Sequence, residues 1–232
     1  MNNIVNSFDS SEDLIVNFTN EIISKLNDGI LKKGEATILV SGGSTPKPVF
    51  DRLSTANLEW EKINIALVDE RWVNKNHEDS NAKLVKDYLL KNNASKGNFV
   101  SLFIDGLTAS EALEQCSAIC EKLLSSCDVL ILGMGGDSHT ASIFPNKIET
   151  HEALNPANEN YCISMTPNDA KHTRMSLTLS AILKAQNIYL HFQGKDKKEV
   201  YDKAIVEEDF IKCPIAAVLN NKIKQVKVFY NE

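Results

Sequence analysis

Apolar residues along this chain form two kinds of pattern, and the two alternate. From Ser11 to about Lys33, Leu14, Ile15, Phe18, Ile22, Ile23, Leu26 and Ile30 recur at three- and four-residue spacings, the mark of an amphipathic helix begun by Ser10 or Ser11. Gly34 ends it, and Ala36 to Val40 (ATILV) is a short continuous apolar run of the kind expected of a strand buried on both faces. A helical stretch to Leu53 follows, then strands at Asn64 to Val68 and Phe99 to Ile104, with a helix from about Ser80 to Leu90 between them. Ser110 to Ser126 predicts a helix and Asp128 to Leu132 another buried strand. The remaining strands are expected at Tyr161 to Met165, Ile188 to Phe192 and Val226 to Tyr230, with a strand having one exposed face at Arg174 to Leu179. Short helices are expected around Ala181 to Lys184 and from Gly194 through Ile205, with an apolar segment at Pro214 to Val218. Strands alternating with helices predict an α/β fold: a doubly wound, mostly parallel sheet with helices on both faces, in one domain spanning residues 1–232.

Composition narrows the classes of function without choosing among them. With 43% hydrophobic and 24% charged residues, the 232-residue chain has the makings of a substantial core. A net charge of −6 argues against a general nucleic-acid binder, yet a local site on an acidic protein can still be basic. The start, MNNIVNSFDSSEDL, has neither a basic region nor an apolar core, and no apolar run approaches the roughly 20 residues that span a bilayer, so a cytoplasmic protein without membrane association is expected. The five cysteines include no CxxC pair and read as reduced thiols. Cys116 and Cys120 lie four apart on a helix, but no second Cys or His pair near them suggests metal ligation.

Candidate chemistry sits where strands end. After Val40 come Ser41-Gly42-Gly43-Ser44-Thr45-Pro46, hydroxyls and glycines at a strand-to-helix turn, which gather backbone N–H groups and a helix N-terminus around one point as a phosphate requires. The alternative is a tight turn with a helix cap, and no Walker ending is present. After Val68 come Asp69, Glu70 and Arg71, three charges that face a cleft or pair with one another. After Leu132 come Gly133, Gly135 and Gly136, then Asp137, Ser138, His139 and Thr140. A neutral imidazole there can take a proton from water near pH 7, with Asp137 to orient it or to bind substrate hydroxyls. The G-x-S-x-G elbow is absent, which disfavours a covalent serine hydrolase. Arg174 opens a strand and Lys197 lies in the first turn of a helix, where the dipole disfavours a cation; surface decoration is the plain alternative for Lys197.

At SGGSTP (41–46), VDERWV (68–73) with Ser80-Asn81, GMGGDSHTASIFP (133–145), RMSLTL (174–179) and GKDKKEV (194–200) the chain resembles the 6-phosphogluconolactonase family, within the sugar-phosphate isomerase and deaminase folds, over nearly its whole length. The resemblance implies hydrolysis of 6-phospho-D-glucono-1,5-lactone without a required metal or organic cofactor, by a monomer or homodimer. It assigns His139 as the general base, with Asp137 and Arg71 beside it. It places Gly42, Gly43, Ser44, Thr45 and Asp69 in the substrate site, and Arg174 and Lys197 as cations for the phosphate. One departure stands out: Ser138 occupies a position where the family has glycine, which implies either a strained serine or a different turn. A glucosamine-6-phosphate deaminase of the same fold would carry a glutamate after the histidine, where this chain has Ile143-Phe144-Pro145. A non-catalytic sugar-phosphate sensor would have kept the phosphate turn and lost the base.

Overall fold

A computed structural model describes residues 3–167 and 171–232. Strands β1 (Ile4–Phe8), β2 (Ala36–Val40), β3 (Ile63–Leu67), β5 (Asn98–Phe99), β6 (Cys127–Leu132), β9 (Asn187–Gln193) and β10 (Val226–Asn231) form one sheet in the order β1-β10-β9-β6-β2-β3-β5. Every pairing in it is parallel. All residues of β2 and β6 are buried, so both faces of the sheet centre are covered, as their aliphatic-rich runs require. A second, three-stranded antiparallel sheet joins β4 (Asp69–Arg71), β8 (Arg174–Leu177) and β7 (Cys162–Met165).

The helices are α1 (Ser11–Lys33), α2 (Lys47–Ser54), α3 (Asn81–Tyr88), α4 (Leu113–Leu124), α5 (Ile148–Ala153), α6 (Leu179–Ile182), α7 (Lys195–Ala204) and α8 (Pro214–Leu219). The longest, α1, begins and ends where its sequence says. The Ser10 side chain accepts from the Asp13 N–H at 3.0 Å, and Gly34, at φ 81°, closes the last turn by donating to the Ile30 carbonyl. Leu14, Phe18, Ile22 and Leu26 form its buried stripe.

Several expectations need correction. The segment 99–104 is strand only at its start, because the Ser101 hydroxyl accepts from the Phe103 N–H and turns the backbone away. The strand beginning at Arg174 has no exposed face: Met175, Ser176 and Leu177 are all buried. It stops at Leu177, and Thr178 caps α6. The alternation there comes from a buried hydroxyl, since Ser176 Oγ accepts from Ser142 N–H at 3.0 Å and donates to the Leu177 carbonyl. Neither β1, which lies in the polar amino-terminal stretch, nor α5 was anticipated, and 214–219 is helical.

Strand order fixes where a ligand can sit. From β2 the chain proceeds outward through β3 and β5, then returns to place β6 on the other side of β2. The crevice between the carboxyl ends of β2 and β6 is therefore the topological switch point, where open α/β sheets bind ligands. Ser41 joins the two strand ends, its Oγ donating to the Ile131 carbonyl at 3.0 Å and accepting from Gly133 N–H at 3.2 Å.

Candidate active site

A cleft of about 290 Å³ opens at this switch point. The turn Ser41 to Pro46 lines one side, Asp69, Arg71 and Asn81 another, and Gly133 to Gly135 with His139 a third. Ala141, His191, Phe192 and Lys197 complete the wall. Gly42, Gly43, Ser44, Thr45, Asp69, Arg71, His139 and Lys197, all picked out from sequence, are thus brought together by elements far apart in the chain. Asp137 and Arg174 are not among the lining residues; each stands beside one that is, Asp137 against His139 and Arg174 across the strands from Arg71.

The His139 segment is a tight, hydrogen-bonded turn. Gly135 N–H donates to the His139 carbonyl and Ser138 N–H to that of Gly135, folding the imidazole back over the glycine. A Cβ on Gly135 would sit 2.1 Å from His139 Nδ1 and 2.3 Å from Asp137 Oδ1, so glycine is required by that close approach. Asp137 Oδ1 lies 2.6 Å from His139 Nδ1. A carboxylate only accepts, so Nδ1 carries the proton and Nε2 is left as the basic nitrogen. Partial burial works against the charged form of Asp137, but the bonds from the His139 ring and backbone hold its carboxyl below the usual value. The Phe144 ring packs on the imidazole, centroids 4.8 Å apart. This is the stretch where a deaminase would carry its glutamate.

Ser138 adopts φ 69°, the left-handed geometry of the glycine it replaces. Its Oγ donates to the Lys212 carbonyl at 3.2 Å, and its own carbonyl accepts from Ile215 N–H at 3.1 Å. The turn is therefore preserved, and the serine ties it to the start of α8.

Charge in the remaining walls is arranged by β4. Its two-residue period puts Asp69 and Arg71 on the cleft side and Glu70 on the other. Asp69 accepts from Ser142 Oγ at 2.6 Å. Arg71 Nη1 donates to the Asp79 carbonyl at 2.6 Å. Glu70, wholly buried, makes no side-chain ion pair among the described residues: its carboxylate accepts from the backbone N–H groups of Arg71, Asn81 and Ala82 and from Ser80 Oγ. Burial raises its pKa despite those bonds. Asn81, which sequence reasoning named only in passing, donates to the Asp69 carbonyl at 2.9 Å, while its Oδ1 is buried without a partner among the described residues. A Cβ on Gly42 would fall 1.9 Å from that oxygen, so the glycine turn and Asn81 interlock.

The cations surround the same space. Arg174 is the cross-strand partner of Arg71, and its Nη1 is buried without an acceptor among the described residues. Burial, and next the charge of Arg71, lower its pKa. Two guanidiniums that disfavour one another are stabilised by an anion. Lys197, in the first turn of α7, likewise has its pKa lowered by burial, against the pull of Asp137.

An open parallel sheet with a glycine-hydroxyl turn, convergent cations and a carboxylate-oriented histidine at its switch point is the sugar-phosphate isomerase/deaminase class of fold. Comparison with known proteins bears this out. Residues 9–228 match the family of glucosamine-6-phosphate isomerases/6-phosphogluconolactonases, and the chain belongs to that family. It is 36% identical to a 6-phosphogluconolactonase of Rhizobium meliloti, over 96% of each chain, and 35% identical to one of Pseudomonas aeruginosa, over 86% of this chain and 84% of that one. The crystal structure of a 6-phosphogluconolactonase from Shewanella baltica superposes with a TM-score of 0.95 at 36% identity, covering 99% of this chain and 98% of that one. A monomeric glucosamine-6-phosphate deaminase shares the fold, with a TM-score of 0.83 at 16% identity, over 99% of this chain and 97% of that one.

Proposed function

We infer that the protein hydrolyses 6-phospho-D-glucono-1,5-lactone to 6-phospho-D-gluconate, the second step of the oxidative pentose phosphate pathway. The observation that carries the mechanism is His139 on the cleft wall with Asp137 behind it, 2.6 Å from Nδ1 to Oδ1, which leaves Nε2 free of hydrogen bonds among the described residues. A water on Nε2 attacks the lactone carbonyl and gives its proton to the imidazole. The tetrahedral oxyanion collapses with cleavage of the bond from C1 to the ring oxygen, and the imidazolium returns the proton to that oxygen, leaving the C5 hydroxyl and the C1 carboxylic acid, which ionises. Asp137 keeps the tautomer and steadies the imidazolium.

The phosphate end belongs to the N–H groups of Gly42, Gly43, Ser44 and Thr45, with Arg71 and Lys197 on the cleft wall. Arg174, paired across the strands with Arg71, adds its positive charge to that end from behind, and a bound phosphate offsets the repulsion between the two guanidiniums. Deaminase chemistry is disfavoured, since Phe144 occupies the place of the required carboxylate.

The test follows loss of freshly prepared lactone above its spontaneous hydrolysis. Wild type should accelerate it, and His139→Ala should retain 6-phosphogluconate binding while losing roughly 10²–10⁴-fold in kcat. Ammonia release from glucosamine 6-phosphate, with no lactone acceleration, would overturn the reading. A His139→Ala variant of undiminished rate would overturn the mechanism alone.

A further inference from the structure

Beside the cleft lies a second cluster that the lactone chemistry does not use. His77 and Asp79 belong to the loop between β4 and α3, and His172 stands two residues before β8. One nitrogen of each imidazole and a carboxylate oxygen of Asp79 all fall within 4.8 Å of one another. His172 Nε2 is 3.0 Å and His77 Nδ1 3.8 Å from the same oxygen, Asp79 Oδ2. Bonds of about 2.0–2.1 Å to a tetrahedral ion separate its donors by about 3.3 Å, and the two observed distances bracket that edge.

The scaffold that holds the donors is independent of them. The β4–β8 pairing, extended by the Trp72 N–H bond to the Thr173 carbonyl at 2.8 Å, sets the two segments side by side. The His77 carbonyl accepts from Ser80 N–H at the cap of α3. An Asp79–His172 ion pair orients one imidazole and a backbone hydrogen bond the other, yet both present a nitrogen to the same carboxylate oxygen, with the rings edge to face at 5.4 Å. His77 Nδ1 accepts from the Asp79 N–H at 3.1 Å, and an ion would take that lone pair in its place.

We propose that His77, Asp79 and His172 form a binding site for a divalent transition-metal ion, of the zinc, nickel or copper class, at the rim of the cleft. Two imidazoles and one carboxylate are the donors these ions select, whereas magnesium and calcium want more oxygens. Arg71, Arg174 and Lys171 surround the cluster with positive charge, so the ion is held by its imidazole bonds rather than by field. Asp79 joins the two sites, because its carbonyl holds Arg71 Nη1. Occupancy therefore fixes Arg71, and on the lactonase reading it changes KM for the lactone more than it changes kcat. The ion takes no part in the hydrolysis itself, for which no metal was expected.

Equilibrium dialysis of the full chain against Zn²⁺ in a non-chelating buffer reads the site without reference to any activity. One ion should bind in the micromolar range, and His77→Ala and His172→Ala should each weaken it by about ten-fold or more, with unchanged circular dichroism. Co²⁺ should give visible d–d bands that both variants lose, and Mg²⁺ should not compete. Absence of Zn²⁺ binding in wild type, or undiminished binding in both variants, would overturn the proposal. Because binding is measured directly, failure of the lactonase assignment would leave this result untouched.

Discussion

Residue by residue, the position most at odds with expectation is Ser138. A serine at φ 69° carries a backbone cost of roughly 1–2 kcal/mol that glycine would not. Its hydroxyl recovers a hydrogen bond to the Lys212 carbonyl, worth about 1 kcal/mol net. The two nearly cancel, which explains how the chain tolerates serine in the turn that aims its base. Ser138→Gly should therefore change the urea midpoint by no more than about 1 kcal/mol equivalent and leave kcat intact. Chemical denaturation and lactone hydrolysis measured on the one preparation check this. A loss of kcat with unchanged stability would mean that the hydroxyl has a part in the reaction. His139 and Asp137 were legible because they follow a buried strand through a run of glycines. The burial of Ser138 against α8 was not, since Lys212 and Ile215 lie more than seventy residues away.

Among the elements, β4 and α3 depend on one carboxylate. Helix α3 has no acidic residue in its first turn, and Glu70 supplies that charge from the facing strand, accepting two of the helix's first N–H groups and the hydroxyl of its cap residue. Glu70→Ala would leave three buried donors and one part-buried donor unsatisfied, and destabilisation of about 3–5 kcal/mol is expected, with Glu70→Gln retaining part of the loss. Thermal and urea unfolding measure it, and a shift below about 1 kcal/mol would show the carboxylate to be replaceable by water. The alternation of strand positions offered a clue to Glu70: in Asp69-Glu70-Arg71 the middle residue must face away from its neighbours. What hid it was length, because a three-residue strand leaves no period to detect. The central strands were legible for the converse reason, as ATILV and the run ending at Leu132 are mostly aliphatic over their whole length. The edge strand β1 was not, since it pairs on one side only and keeps Ile4 and Val5 exposed in a polar stretch.

At the scale of the whole molecule, the sheet places a site at its carboxyl edge and must also fill the space beneath it. Sequence order alone could not give this edge, because the adjacency of β2 and β6, and of Arg71 and Arg174, is made by strand order and by a second sheet. His191, on β9, belongs to that filling: it lines the floor of the cleft, is 2% exposed and packs against Phe18 at 5.2 Å. Its Nε2 has no partner among the described residues, and burial lowers its pKa from 6.5 to about 4. The folded state thus binds this proton less readily than the unfolded chain, so stability is complete above the unfolded value and falls as pH drops from 6.5 to about 4. The full loss from this one group is about 3 kcal/mol at 1.36 kcal/mol per unit. Carboxylates held below their usual values, Glu21 and Asp137 among them, add acid sensitivity of the same sign, but only as pH falls through their own lowered pKa values. Replacing His191 by Phe, which suits the aromatic surroundings of Phe18, isolates the histidine. Urea midpoints at pH 7 and pH 4.5 should then differ distinctly less in His191→Phe than in wild type. Parallel pH profiles for the two proteins would mean that His191 finds a proton-accepting partner in the folded state and is not the acid-sensitive group beneath the site.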